Sequence, residues 1–102
     1  GNQERRGQRE INGSGNAMKV SKRMREQIFC VFAQSHGDSI KQKHIRLEVN
    51  DWRLLHDKKP PVGVHYFGMV MRQLESEGLC KIIRATQMPY WYDFKVWAWA
   101  GK

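Results

Sequence analysis

The chain has 102 residues, 40% of them hydrophobic and 11% aromatic, which suits one globular domain and leaves too little to bury for a second core. With a mean hydropathy of -0.71 and no apolar run near the length of a membrane span, the sequence reads as that of a soluble protein with no membrane span. A formal net charge of +8 favours a polyanionic partner: DNA, RNA or an anionic membrane surface.

Residues 1–19, "GNQERRGQREINGSGNAMK", hold almost nothing apolar and read as disordered. They are either a basic arm built on Arg5, Arg6 and Arg9 or a linker or expression leader, the second reading being preferred because Met18 can serve as a natural start. Nothing in them has the pattern of a secretion signal. The folded domain is expected over residues 20–102. Cys30 and Cys80 are isolated in apolar surroundings and read as buried thiols of a reducing, cytoplasmic compartment, with a bridge between them as the minor alternative.

Ser21 is placed to cap a first helix through "KRMREQIFCVFAQSH", where Met24, Ile28, Val31, Phe32 and Ser35 share one side and Gly37 supplies the stop. Lys22, Arg23 and Arg25 fall off that side, on a charged surface near the arm. "SIKQ" at 39–42 has the capping-box pattern and predicts a second helix from about Ile40. Beyond it Ile45, Val49 and Trp52 share one side while Ile40, Leu47 and Leu54 share another. That suits either a helix buried on more than one face or one broken near Asn50 and Asp51. "HDKKPP" at 56–61 is a turn, since Pro60 and Pro61 push the residues before them out of helical geometry.

In the third helix Val64, Phe67, Val70, Met71 and Leu74 line one side, and His65, Met69, Arg72 and Ser76 centre on the other, flanked by Tyr66 and Gln73. Gly78 ends it with Leu79 folding back on Leu74, and the glycine at 68 suggests close approach to a neighbouring backbone. After Gly78 the period falls to two. "LCKIIRAT" and "YDFKVWAWA" read as two strands of a hairpin joined by "QMPYW". Tyr92, Phe94, Val96 and Ala98 share one face of the second strand, and Trp91, Asp93, Lys95, Trp97 and Trp99 the other.

Three helices and a hairpin joined by "RQLESEGLCKI" resemble a winged helix-turn-helix domain. More narrowly, "PPVGVHYFGMVMRQLESEGL" followed by "FKVWAW" is similar to small winged-helix proteins of bacterial and phage genomes. Gly68, Arg72, Leu74, Gly78, Leu79, Val96 and Trp97 stand at the matching positions, and the likeness spans about residues 21–100. It implies an α+β winged helix with a three-helix core and a two-stranded antiparallel wing. The implied function is double-stranded DNA binding, in a small regulator or an accessory factor of phage-like replication or recombination.

On that likeness the third helix enters the major groove, with Arg72 reading guanine, Gln73 reading adenine and Met69 touching a thymine methyl. His65 and Tyr66 reach phosphate or base edges near the helix start. In the wing, Arg84 and Lys95 grip phosphates, with Gln87, Tyr90 and Trp91 toward the tip. Lys41 and Lys43, together with Lys22 and Arg25, complete the set of cations. Trp97 and Trp99 are expected to cover the core. The alternatives are a protein-binding module using Trp91, Trp97 and Trp99, or a binder of RNA or single strands.

The sequence gives catalysis little support. His44 and Glu48 have helical i, i+4 spacing, but that pair alone is ordinarily a surface contact, and no HExxH, paired CxxC, P-loop or nucleophile elbow occurs. No metal, cofactor, membrane partner or enzymatic activity is expected. The oligomeric state is left open.

Overall fold

A computed structural model describes residues 18–84, 88, 89 and 91–101. The elements run α1 (Lys22–Gln34), β1 (Ile40–Lys41), α2 (Gln42–Leu55), α3 (Val64–Ser76), β2 (Cys80–Arg84) and β3 (Val96–Trp99). The protein is therefore α+β, three helices against an antiparallel sheet ordered β1-β3-β2. No described helix is long and apolar enough to cross a membrane.

The first helix forms as its sequence predicts. Met24 N donates to Ser21 Oγ at 3.1 Å, and Met24, Ile28, Val31 and Phe32 are buried. At the far end Ser35 Oγ donates to Phe32 O at 2.7 Å, and the positive φ of Gly37 (90°) turns the chain toward β1.

The second helix begins two residues later than the capping-box pattern predicts. Ile40 and Lys41 are strand, paired with Trp97 and Val96, so Ser39 caps nothing and Lys41 is the helix's N-cap, without a side-chain bond. Burial explains the difference. The Gln42 side chain is needed in the core, where its Oε1 accepts from Trp97 Nε1 at 2.9 Å. Backbone carbonyls from later in the chain replace the missing cap: Gln42 N donates to Lys95 O at 2.8 Å and Lys43 N to Asp93 O at 2.7 Å.

α2 then runs unbroken through Asn50 and Asp51 and buries one face, Ile45 and Val49, leaving Leu47, Leu54 and Leu55 exposed. Asn50 serves the proline-rich segment instead of breaking the helix. Its Oδ1 accepts from Val62 N at 2.8 Å and its Nδ2 donates to Val62 O at 3.1 Å.

α3 buries Phe67, Gly68, Val70, Met71 and Leu74. It closes in a Schellman motif, with Leu79 N donating to Leu74 O (3.0 Å) and Gly78 N to Glu75 O (2.9 Å) around a Gly78 φ of 80°.

The predicted hairpin becomes part of a three-stranded sheet, and its second strand is shorter than expected. Only Val96–Trp99 pairs; β3 lies between β1 and β2, with a register shift against β2 between Ile82 and Arg84. Residues 91–95 leave the strand because their backbone is drawn into turns, Tyr92 N to Pro89 O (3.0 Å) and Lys95 N to Tyr92 O (3.3 Å), and onto the start of α2. Cys30 is half-buried and Cys80 buried, both as free thiols, and burial pushes the Cys80 thiol up to about 12.

Trp97, 1% exposed, joins the sheet, the start of α2 and the core. Trp97→Ala is expected to cost about 3–5 kcal/mol in urea unfolding, because it leaves a cavity and removes the donor to Gln42. A loss under about 1 kcal/mol would mean that the ring does not organise the core.

Candidate nucleic-acid interface

Helical geometry alone separates the two sides of α3. At 100° per residue, the packing of Phe67, Val70, Met71 and Leu74 turns His65, Tyr66, Met69, Arg72 and Ser76 outward, and all five are exposed. Tyr66 is 45% and Met69 44% exposed, an apolar pair three residues apart beside a guanidinium.

The loop before β3 extends this surface. The Trp91 ring lies 5.4 Å from the His65 ring at an interplanar angle of 40°, which brings the loop to the first turn of α3. At its other end the exposed Phe94 ring has the Lys41 and Lys43 ammonium groups at 5.8 and 5.7 Å, within cation–π range. Tyr92 meets Phe94 edge-on at 5.6 Å. Asp93 anchors the segment: its carboxylate accepts from Arg46 Nη2 at 2.9 Å and its carbonyl holds Lys43 N. The starts of α2 and α3 are thereby bridged by one aromatic loop, with cations at its Phe94 end.

Among the expected site residues, His65, Tyr66, Met69, Arg72, Lys41 and Lys43 come together on this surface. Four others are placed differently. Lys95 is only 5% exposed, and burial lowers its pKa while Glu75 opposes the shift, so its ammonium sits beneath the surface and not at a phosphate-gripping position. Its extended-chain relation to Trp97, two residues on, already put both on one side, and that side is the core. Gln73 is half-buried and its amide is engaged internally, Nε2 donating to Glu77 Oε2 at 2.6 Å and Oε1 accepting from Met18 N at 3.2 Å. Arg25 is also engaged, its guanidinium bonding both Glu77 oxygens and Val20 O. Lys22 is exposed on α1, lining a separate groove with Phe29 and Trp99.

Arg84 is exposed in β2. Gln87, Tyr90 and the arm residues Arg5, Arg6 and Arg9 lie outside the described residues. Of the three tryptophans considered for protein capture, Trp97 is in the core and Trp99 packs on Phe29 and Phe32, with ring centroids at 5.2 and 5.7 Å. Sequence reasoning missed Phe94 and the Arg46–Asp93 pair. Phe94 looked like part of a strand, and an ion pair 47 residues apart leaves no local signal.

Two arginines tie α1 to the turn after α2 and to the C-terminus of α3. Arg23 pairs with Asp57, just past the C-cap of α2 (3.1 Å), and Arg25 pairs with Glu77 at the C-cap of α3. These bonds hold both carboxyls below their usual range, the hydrogen bond from the arginine being the main cause in each. Among the described residues, no group of three or more His, Cys, Asp or Glu side chains could hold a metal ion. Comparison with known proteins gives no match, whether to a family model, a curated protein or a solved structure.

A carboxyl with a depressed folded pKa stabilises the fold above its unfolded value, 4.5 for Glu77, and that contribution is lost as pH falls through the folded pKa. Arg25→Ala is therefore expected to lower stability at neutral pH, with the deficit shrinking below about pH 4. Chemical unfolding of both proteins between pH 3 and pH 7 checks it; a deficit independent of pH would show that the ion pair carries none of it.

Proposed function

We propose that this chain is a winged-helix DNA-binding module in which α3 is the recognition helix and the loop before β3 belongs to the wing. The observation that carries the reading is the outer face of α3, where His65, Tyr66, Met69 and Arg72 are exposed beside Trp91 and adjoin the Lys41–Phe94–Lys43 cluster. A guanidinium and a thioether on one helix face suit a guanine edge and a thymine methyl in the major groove. The lysines suit phosphates, and the charge of +8 supplies the long-range attraction. The element order, with two of the three strands after the last helix, supports the same reading. The module acts by binding, without catalysis, as a small regulator or an accessory factor of replication or recombination.

One observation favours a second reading. Trp91 and Phe94 are exposed large rings, Phe94 with two ammonium groups over it, a combination that also suits stacking on unpaired bases of single-stranded nucleic acid.

Titration of duplex and single-stranded DNA over a range of salt separates the two. For duplex binding with about four phosphates contacted, log K should fall against log salt with a slope of about -4, and Lys43→Ala should reduce that slope by about one. Arg72→Ala, with its folding checked by thermal unfolding, should cost about 1–3 kcal/mol on the preferred duplex, with less on others. Full affinity and selectivity in folded Arg72→Ala would remove α3 as the reading element. A preference for single strands that is lost in Trp91→Ala would establish the second reading in its place.

A further inference from the structure

The sheet has two sides, and only one of them is packed. Cys80, Ile82, Trp97 and Trp99 alternate inward along β2 and β3, toward the core that also takes Phe67, Met71 and Leu74 of α3. The residues between them turn the other way. Lys41 stands opposite Val96 and Val96 opposite Arg84, and one row further on Ala98 stands opposite Lys81. Lys41, Lys81 and Arg84 are exposed, as is Ile83 at the register shift, and Val96 and Ala98 are only half-buried, so no described element covers this side.

The open side is cationic, and no carboxylate offsets it. None of Lys41, Lys43, Lys81 and Arg84 makes an ion pair among the described residues. The acids of neighbouring elements are engaged elsewhere: Asp93 is held by Arg46, Glu75 faces Lys95, and Asp38 and Glu48 line a separate hollow against Val31 and Gln34 of α1. This side also continues the proposed DNA site. Lys41, the last residue of β1, and Lys43 have their ammonium groups over the Phe94 ring, and the loop carrying that ring reaches the first turn of α3 through Trp91 and His65.

Shape then selects the ligand. α3 and the inner side of the sheet both pack on one core, so the outer face of α3 and the outer side of the sheet look in different directions, with the loop at the corner between them. A duplex keeps its direction over roughly 150 bp and resists such a turn, whereas a single strand makes it freely. At the corner its unpaired bases meet the Phe94 ring, 49% exposed, and beyond it the apolar Val96, Ala98 and Ile83 set among cations.

We infer, resting on the DNA-binding reading above, that the preferred partner is a duplex with a single-stranded extension: the duplex lies at α3, and the extension passes over Phe94 onto the open side of the sheet, with its phosphates at Lys41, Lys81 and Arg84.

The test uses the full chain and four labelled DNA probes. These are a blunt duplex, the same duplex with a tail of about eight thymidines at its 3′ or its 5′ end, the duplex lengthened by as many base pairs, and the bare thymidine strand. A tail of one polarity should tighten binding about tenfold, and should steepen the fall of log K against log salt by about 2, the share of three single-strand phosphates. The lengthened duplex should gain less. Lys81→Gln should lower the gain from the tail about threefold and leave the blunt duplex unchanged, with folding checked by thermal unfolding. Phe94→Ala should reduce the ratio of tailed to blunt affinity several-fold.

Equal affinity for blunt and tailed duplexes, whichever end carries the tail, would overturn the inference and leave the duplex reading in place. A lengthened duplex that gains as much as the tailed one would remove the single strand as the occupant. Full gain from the tail in folded Lys81→Gln would remove the sheet as its place. No binding of the blunt duplex, or a bare strand bound as tightly as the tailed duplex, would overturn the duplex reading itself and this inference with it.

Discussion

The arrangement depends on how residues 91–95 lie across the start of α2. A helix of this kind leaves its first N–H groups without partners, and here no side chain caps them. The carbonyls of Lys95 and Asp93 do so instead, and the half-buried Arg46–Asp93 pair at 2.9 Å holds the segment in place. Two residues on, Trp97 enters the core and donates to Gln42, the first residue of the same helix. Backbone, ion pair and indole thus fasten one short segment to one helix end. Each contact is worth about 1 kcal/mol, but they share a rigid frame and constrain one another. Without this segment, Phe94 would not lie between Lys41 and Lys43, nor Trp91 against His65.

The same constraint explains why the exposed face of α3 can be regular. Its buried side is fixed by Phe67, Val70, Met71 and Leu74, and its C-terminus by the Schellman turn at Gly78 and by the Arg25–Glu77 pair. Asn50 adds a two-point hold on Val62 just before the helix begins. None of these contacts uses His65, Tyr66, Met69 or Arg72. A rigid element packed into the core on one side presents its other side to solvent in a fixed geometry.

Much of this was legible in the sequence because it obeys local rules. The cap at Ser21, the Gly78 stop and both faces of α3 follow from periodicity and turn chemistry, and each is found where it is predicted. What was not legible depends on residues far apart in the chain. "SIKQ" has the pattern of a capping box, yet Ile40 gains more by pairing with Trp97, and Gln42 by accepting its indole hydrogen, than either would from a local cap. Lys95 and Gln73 look like ordinary surface polar residues until the partners that bury or engage them are known. β1, two residues long, carries almost no periodic signal of its own.

The central claim is that α3 and the adjoining loop form the nucleic-acid face. Amide chemical-shift mapping of the isotopically labelled protein during titration with a short duplex tests it most directly, since it locates contact without altering a residue. The account predicts that the largest shifts fall at 64–72, with smaller ones at 41–43 and 91–94, while α1 around Phe29 stays still. Shifts concentrated along α1 and Trp99, with the amides of α3 unmoved, would contradict it.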